Sequence, residues 1–246
     1  MEQALIPIND IVINGWKLYK ANFTKFLKPL GILIAPMVLL YLMDFLLTYS
    51  SSIILNGLAS IVLILFVIFC EIWMYIYIIK LINSIIEKKE VDEKLLFSTS
   101  LKKIGQNIWI GLLTFLIVLG GIILFIVPGI FFAIWYSYAM FVNVLEEKNY
   151  KGMDAMTASK KLVKRRAWDT YGRSFFPTLF TEALLYVGCG IIFLLLYAIG
   201  LNTTIVITIV YIIFLISAFA LIPLFLTYQV LVYNSLKESR QINFNA

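Results

Sequence analysis

The chain has 246 residues, 62% of them hydrophobic and only 14% charged, with 20 Lys and Arg, 14 Asp and Glu, and no histidine. Soluble domains carry roughly 45–50% apolar and about 25% charged residues, so this is a membrane composition. The missing histidine removes Ser-His and Cys-His nucleophilic pairs, imidazole acid-base catalysis and most zinc sites. With no P-loop, GxGxxG or CxxC either, the sequence argues against an enzyme and implies no cofactor and no metal.

The N-terminus, MEQALIPINDIVINGWKLYKANF, lacks a basic segment followed by a short apolar stretch and a small-residue cleavage site. It therefore reads as having no cleavable signal, leaving insertion to the first span. From Ile8 to Phe23, apolar Ile8, Ile11, Val12, Gly15, Trp16, Tyr19 and Phe23 recur at helical spacing, with Asp10, Asn14, Lys17 and Lys20 opposite. That pattern predicts an amphipathic interfacial helix over about 8–25.

Apolar runs follow at Leu30–Tyr49, Ile53–Ile79, Ile108–Val127, Ile130–Leu145, Phe175–Ile199 and Thr204–Val232. Most reach the ~20 residues needed to cross about 30 Å of hydrocarbon. The short fourth run carries Trp135, Tyr136 and Tyr138, which give it interfacial character. Ser50-Ser51-Ser52, Pro128-Gly129 and Gly200-Leu201-Asn202 divide the runs as tight, uncharged connections. Pro128-Gly129 is expected to be a structural turn, since one helix from 108 to 145 would be roughly 57 Å long. Proline also biases Val127 away from the helical region, and glycine can supply a positive φ.

The other connections are long and basic. They hold all 20 Lys and Arg, which a six-span arrangement puts on one side. By the positive-inside rule that side is cytoplasmic, as are both termini of a multi-pass protein of the cell membrane. Within these connections, cytoplasmic helices are expected inside about 91–106 and 152–172. In the second, Ala155, Met156, Ala158, Leu162 and Val163 oppose Asp154, Lys161, Lys164 and Arg165. The expected fold is thus an all-α integral membrane protein: one polytopic domain over 1–246, with six transmembrane helices in three hairpins, each preceded by an interfacial helix.

Three acids fall within the spans: Asp44, Glu71 and Glu182. An ionisable residue at membrane depth costs at least a few kcal/mol, so each is a candidate intramembrane polar site. The structural alternative is a neutral carboxyl, or one hydrogen-bonded to a neighbouring span. Without an intramembrane Lys or Arg to pair with them, a protonated acid or a bound cation is favoured over a salt bridge. Lys160, Lys161, Lys164, Arg165, Arg166 and Arg173 form the densest basic patch. It suits anionic lipid headgroups or an acidic partner, although topology alone also accounts for such a cluster. Nucleic acid is not implied, because the basic residues hug the spans. Cys70 and Cys189 sit in apolar runs as small hydrophobes.

The stretch VPGIFFAIWYSYAMFV, then EEKNYKG, then MDAMTASKKLVKRRAW resembles the membrane domain found fused to some glycerophosphodiester phosphodiesterases, and its standalone six-span relatives of unknown function. The resemblance rests on Pro128, Gly129, Ala155, Ser159, Leu162 and Trp168, and on GWKLYKANFTKFL near the N-terminus. It implies a six-span membrane domain. It does not imply phosphodiesterase activity, which in the fused proteins belongs to a separate soluble domain. Together these readings lead to a non-enzymatic scaffold or accessory factor in export, lipid handling or envelope protection, with a membrane-protein partner or a homo-oligomer. The alternative is a transporter of a lipid, peptide or small amphiphile that uses the intramembrane carboxylates. Protection against a membrane-active peptide is a special case of either.

Overall fold

The computed structural model describes residues 4–47, 53–146 and 150–244, with the backbone alone at scattered positions between 33 and 55 and from 240 onward. The described residues are helical: α1 Ile8–Ala21, α2 Phe23–Leu47, α3 Ile53–Ile86, α4 Glu93–Leu124, α5 Ile126–Tyr136, α6 Ala139–Leu145, α7 Gly152–Val163, α8 Ala167–Ala198 and α9 Thr203–Phe244. Five stretches among them are long and apolar enough to cross a membrane: Asn56–Ile86, Glu93–Leu124, Ile126–Leu145, Gly152–Ala198 and Thr203–Ser239. Five such stretches suggest a multi-pass membrane protein. α2 occupies the place of the expected first span; the Ser50-Ser51-Ser52 connection after it lies outside the described residues.

The helices form two compact units, one of residues 1–21 with 166–246 and the other of 22–165. In the first unit, α8 and α9 pair and α1 packs along both. The amphipathic reading of α1 finds its physical basis here, because Ile11, Gly15 and Tyr19 are its buried face. Trp16, expected on that face, is instead exposed. The first interfacial helix therefore belongs with the last helical pair rather than with the hairpin it precedes in sequence. Ile6 explains part of this. Its N–H donates to Ser235 Oγ at 2.9 Å, and its carbonyl accepts from Arg173 Nε at 2.9 Å.

In the second unit α2 packs on α3, α3 on α4, and α4 on α5, with α6 and α7 laid against α4. Several expected boundaries change. The helix foreseen within 91–106 and the span foreseen at 108–127 are one continuous α4. Asp92 caps it, accepting from the Lys94 and Leu95 N–H groups at 3.0 and 3.1 Å, and no proline interrupts it afterwards. The span expected at 130–145 breaks at Ser137-Tyr138 into α5 and α6. The cytoplasmic helix expected within 152–172 ends at Val163, and after a 3₁₀ turn at Lys164–Arg166 α8 begins eight residues before Phe175.

The connection between α4 and α5 corrects the role given to Pro128-Gly129. The corner is Phe125, in extended conformation at φ −159° and ψ 139°. Pro128 and Gly129 lie in the first turn of α5, where proline is tolerated because its missing N–H has no intrahelical acceptor. Nor does Gly129 supply a positive φ; Gly200 is the glycine that does, at φ 80°. What Gly129 provides is closeness. A β-carbon there would overlap Ile122 Cγ1 and stand 2.8 Å from the Ile122 nitrogen, so α4 and α5 touch backbone to backbone.

The Gly200-Leu201-Asn202 connection forms as expected. Gly200 N–H closes α8 on the Tyr197 carbonyl at 3.0 Å, and Asn202 Oδ1 caps α9 by accepting from the Thr204 N–H at 2.9 Å.

Candidate functional site

The three acids of the apolar runs have unlike surroundings. Glu71 lies midway along α3, exposed, and makes none of the hydrogen bonds or ion pairs found among the described residues. Glu182 is half-buried on α8. Asp44 belongs to α2, but its side chain lies outside the described residues. Glu71 is in the 22–165 unit and Glu182 in the other.

The basic patch is not one surface. Arg173 is committed to structure: besides the Ile6 carbonyl it bonds the Asp169 carbonyl at 3.2 Å and the Asp169 carboxylate at 3.1 Å. Lys160 rests over the Trp135 ring, its Nζ 4.6 Å from the centroid, a cation–π contact. Arg166 is half-buried. Lys161 near the end of α7, and Lys164 and Arg165 in the 3₁₀ turn that follows, remain as exposed charges.

Next to Lys160, Ser159 is fully buried and its hydroxyl donates to the Trp135 carbonyl at 2.7 Å. Ala155, one turn earlier, is also fully buried. At the start of α7, a β-carbon on Gly152 would stand 2.7 Å from the Trp109 ring. The small residues of α7 thus let it lie against α4 and the end of α5. In the same unit, Asn143 on α6 is completely buried with neither side-chain oxygen nor nitrogen partnered. Asn107 on α4 is 1% exposed, its amide nitrogen donating to the Lys103 carbonyl at 3.1 Å and its oxygen unpartnered. Buried amides of this kind take up water or a polar ligand atom. Sequence reading passed over Asn143; the available signal was a lone amide inside the apolar run AMFVNVL.

The 1–21 with 166–246 unit holds a polar network around two prolines. Pro177 in α8 and Pro223 in α9 each remove a helical hydrogen bond. In both helices a threonine four residues on bonds back: Thr181 Oγ1 to the Pro177 carbonyl at 2.9 Å, and Thr227 Oγ1 to the Pro223 carbonyl at 2.7 Å. In both, too, the carbonyl three residues before the proline accepts from another helix. Gln229 Nε2 reaches Ser174 at 3.4 Å, and Tyr19 Oη reaches Ala220 at 2.9 Å. Thr181 and Tyr228 hydroxyls meet at 3.2 Å and join the two halves. Burial pushes the Tyr19 phenol above its ordinary pKa, keeping it a donor. The repeated Pro-x-x-x-Thr spacing was visible in the sequence, but its meaning depends on partners far away in it.

An apolar groove of about 650 Å³ lies between α1 and α8, lined by Ile8, Val12, Ile13, Phe176, Leu179 and Phe180 among others. Among the described residues no three of His, Cys, Asp and Glu gather as metal ligands. The polar groups described in both units hold helices together or stand buried without a partner. No protein-family model, curated protein or solved structure matches the chain.

Proposed function

We propose that the chain is a non-enzymatic integral membrane protein that acts as a scaffold or accessory factor in a membrane process such as export, lipid handling or envelope protection. Glu71 carries this reading. An exposed carboxyl midway along a bilayer-spanning helix is costly against lipid, and a polar group from another membrane helix relieves that cost. α3 is then a contact helix, and its partner is another membrane protein or a second copy of this chain.

The reading includes six spans, with α2 as the first, and both termini in the cytoplasm, because every Lys and Arg then falls on one side. Exposed Lys161, Lys164 and Arg165 meet anionic headgroups there, each near-surface charge being worth about 1 kcal/mol. Kinship with the phosphodiesterase-fused membrane domain belongs to the same proposal. The packing roles of Gly129, Ala155 and Ser159 support a motif that shapes the helical assembly rather than one that cleaves phosphodiesters.

A photo-crosslinking residue at Glu71 in native membranes tests the scaffold reading. Discrete protein adducts, missing when the same probe replaces the exposed Leu194 of α8, are expected; adducts with lipid alone would sink it. The second reading, transport of a lipid, peptide or small amphiphile, is favoured by the apolar α1–α8 groove and by half-buried Glu182 on α8. Transport in proteoliposomes that is unaltered by Glu182→Gln would remove a coupling role for that carboxyl.

A further inference from the structure

The corner between α4 and α5 is unlike a connection built for water. Ile123, Leu124, Phe125, Ile126 and Val127 are consecutive, all apolar, and 75, 73, 74, 69 and 63% exposed. Exposed apolar side chains scattered singly are ordinary, but five in a row at a tip need an apolar environment. The α8–α9 corner also exposes Ile199 and Leu201, but these stand singly around Gly200 and beside Asn202, Thr203 and Thr204.

Length sets the depth. The last polar residue before the apolar run of α4 is Asn107, and the 18 residues from Ile108 to Phe125 span roughly 27 Å at 1.5 Å each, less if tilted. Hydrocarbon is about 30 Å thick. The α8 run from Phe175 to Ile199 has 25 residues, roughly 37 Å, and clears it. The α4 run does not.

The corner's backbone fits the same depth. A first helical turn leaves N–H groups without intrahelical acceptors. Here Phe125 N–H is spent on the Gly121 carbonyl at 2.9 Å, and Pro128 has none to satisfy. The N–H groups of Ile126 and Val127 remain, a demand that ester carbonyls at the glycerol level can meet. Between α4 and α5 an apolar groove of about 380 Å³, lined by Phe115, Val118, Leu119 and Ile122 among others, leaves room for acyl chain along the hairpin.

We infer that the α4–α5 hairpin stops short of the outer aqueous phase, and that Ile123–Val127 is a lipid-contacting tip seated among the acyl chains and glycerol esters of the outer leaflet. This rests on the multi-pass reading with basic connections on the cytoplasmic side, and it replaces the two full spans that the six-span reading gives to α4 and α5 by a hairpin that ends within the outer leaflet. The hairpin enters and leaves by that side, so the charge distribution is the same as for a connection that emerges.

Spin labels on Phe125→Cys, Ile123→Cys and Asn202→Cys, each with Cys70 and Cys189 replaced by serine and reconstituted in phosphatidylglycerol–phosphatidylcholine vesicles, test the inference by power saturation with oxygen and with a nickel chelate. Oxygen, concentrated in lipid, is expected to relax the labels at 123 and 125 more than nickel does, and nickel to dominate at 202. The two tip positions guard against one substitution disturbing the fold. Nickel dominance at 123 and 125 as well as 202 overturns the inference and leaves the multi-pass reading standing. Oxygen dominance at 202 as well overturns the topology on which both rest. Poor access to both reagents at 123 and 125 means that protein covers the tip, and also overturns the lipid assignment.

Discussion

Gly15 of α1 and the Tyr228 ring of α9 occupy one space: a β-carbon on Gly15 would stand 2.6 Å from both Cδ1 and Cε1 of the ring. Tyr228 is 1% exposed and its hydroxyl is engaged with Thr181, so the ring has little freedom to retreat. Helix propensity alone would make Gly15→Ala stabilising by about 1 kcal/mol. Overpacking of this kind costs about 1–3 kcal/mol and should reverse the sign. Unfolding midpoints in detergent should fall for Gly15→Ala and recover when Tyr228→Leu is added. Costs that simply add would contradict the shared space.

Glycine substitutions along α4 and α5 separate close approach from propensity. Gly129→Ala meets the Ile122 backbone, which cannot yield as a side chain could, and should cost at least about 1–3 kcal/mol. Gly120→Ala meets nothing within 4 Å and should be neutral or stabilising by up to about 1 kcal/mol. Equal midpoints for the two variants would contradict the backbone contact between α4 and α5.

Tyr19→Phe removes the donor to the Ala220 carbonyl beside the Pro223 break, a loss of about 0.5–1.5 kcal/mol. Because burial raises the folded-state phenol pKa, its contribution is fully present below its ordinary pKa of about 10 and is lost as pH rises through the folded value. The difference in melting temperature between wild type and Tyr19→Phe should therefore shrink from pH 9 to pH 11. A difference that grows with pH would contradict the assignment.

Ser235→Ala leaves the Ile6 N–H without its acceptor, while Arg173→Gln loosens the Ile6 carbonyl. About 1 kcal/mol lost at either contact corresponds to roughly fivefold faster local opening. Amide exchange at Ile6 and the first turn of α1 should accelerate by that order in both variants. Unchanged exchange would mean that the N-terminal segment is held by other contacts.

Much of this architecture was legible because a membrane simplifies the code. Long apolar runs marked the candidate spans, and three-to-four periodicity marked the starts of α1 and α7 but not their ends. What escaped depended on contacts distant in sequence. Pro128-Gly129 looked like a turn because both residues break helices, yet proline fits a first turn and Gly129 serves an approach to Ile122 that no local pattern encodes. Arg173 looked like one charge of a lipid-facing cluster until Ile6, 167 positions away in the chain, appeared as its acceptor. α4 runs unbroken through Gly105-Gln106-Asn107 because polar residues alone do not stop a helix. Asn143 shows the reverse case, a polar residue hidden in an apolar run whose burial could not be inferred from its neighbours.

The proposed partner surface on α3 is tested most directly by the size of the protein as extracted from its own membranes. Protein extracted from its own membranes into a mild detergent or nanodiscs should run as an assembly larger than one chain. Glu71→Leu should reduce it to a single chain while leaving its melting temperature within about 0.5 kcal/mol equivalent of wild type, as for an exposed substitution. Glu71→Gln, which keeps a hydrogen-bonding side chain, should retain most of the assembly. A wild-type protein that is already a single chain, or an assembly untouched by Glu71→Leu, would contradict the proposal that this carboxyl marks the protein-contact face of α3.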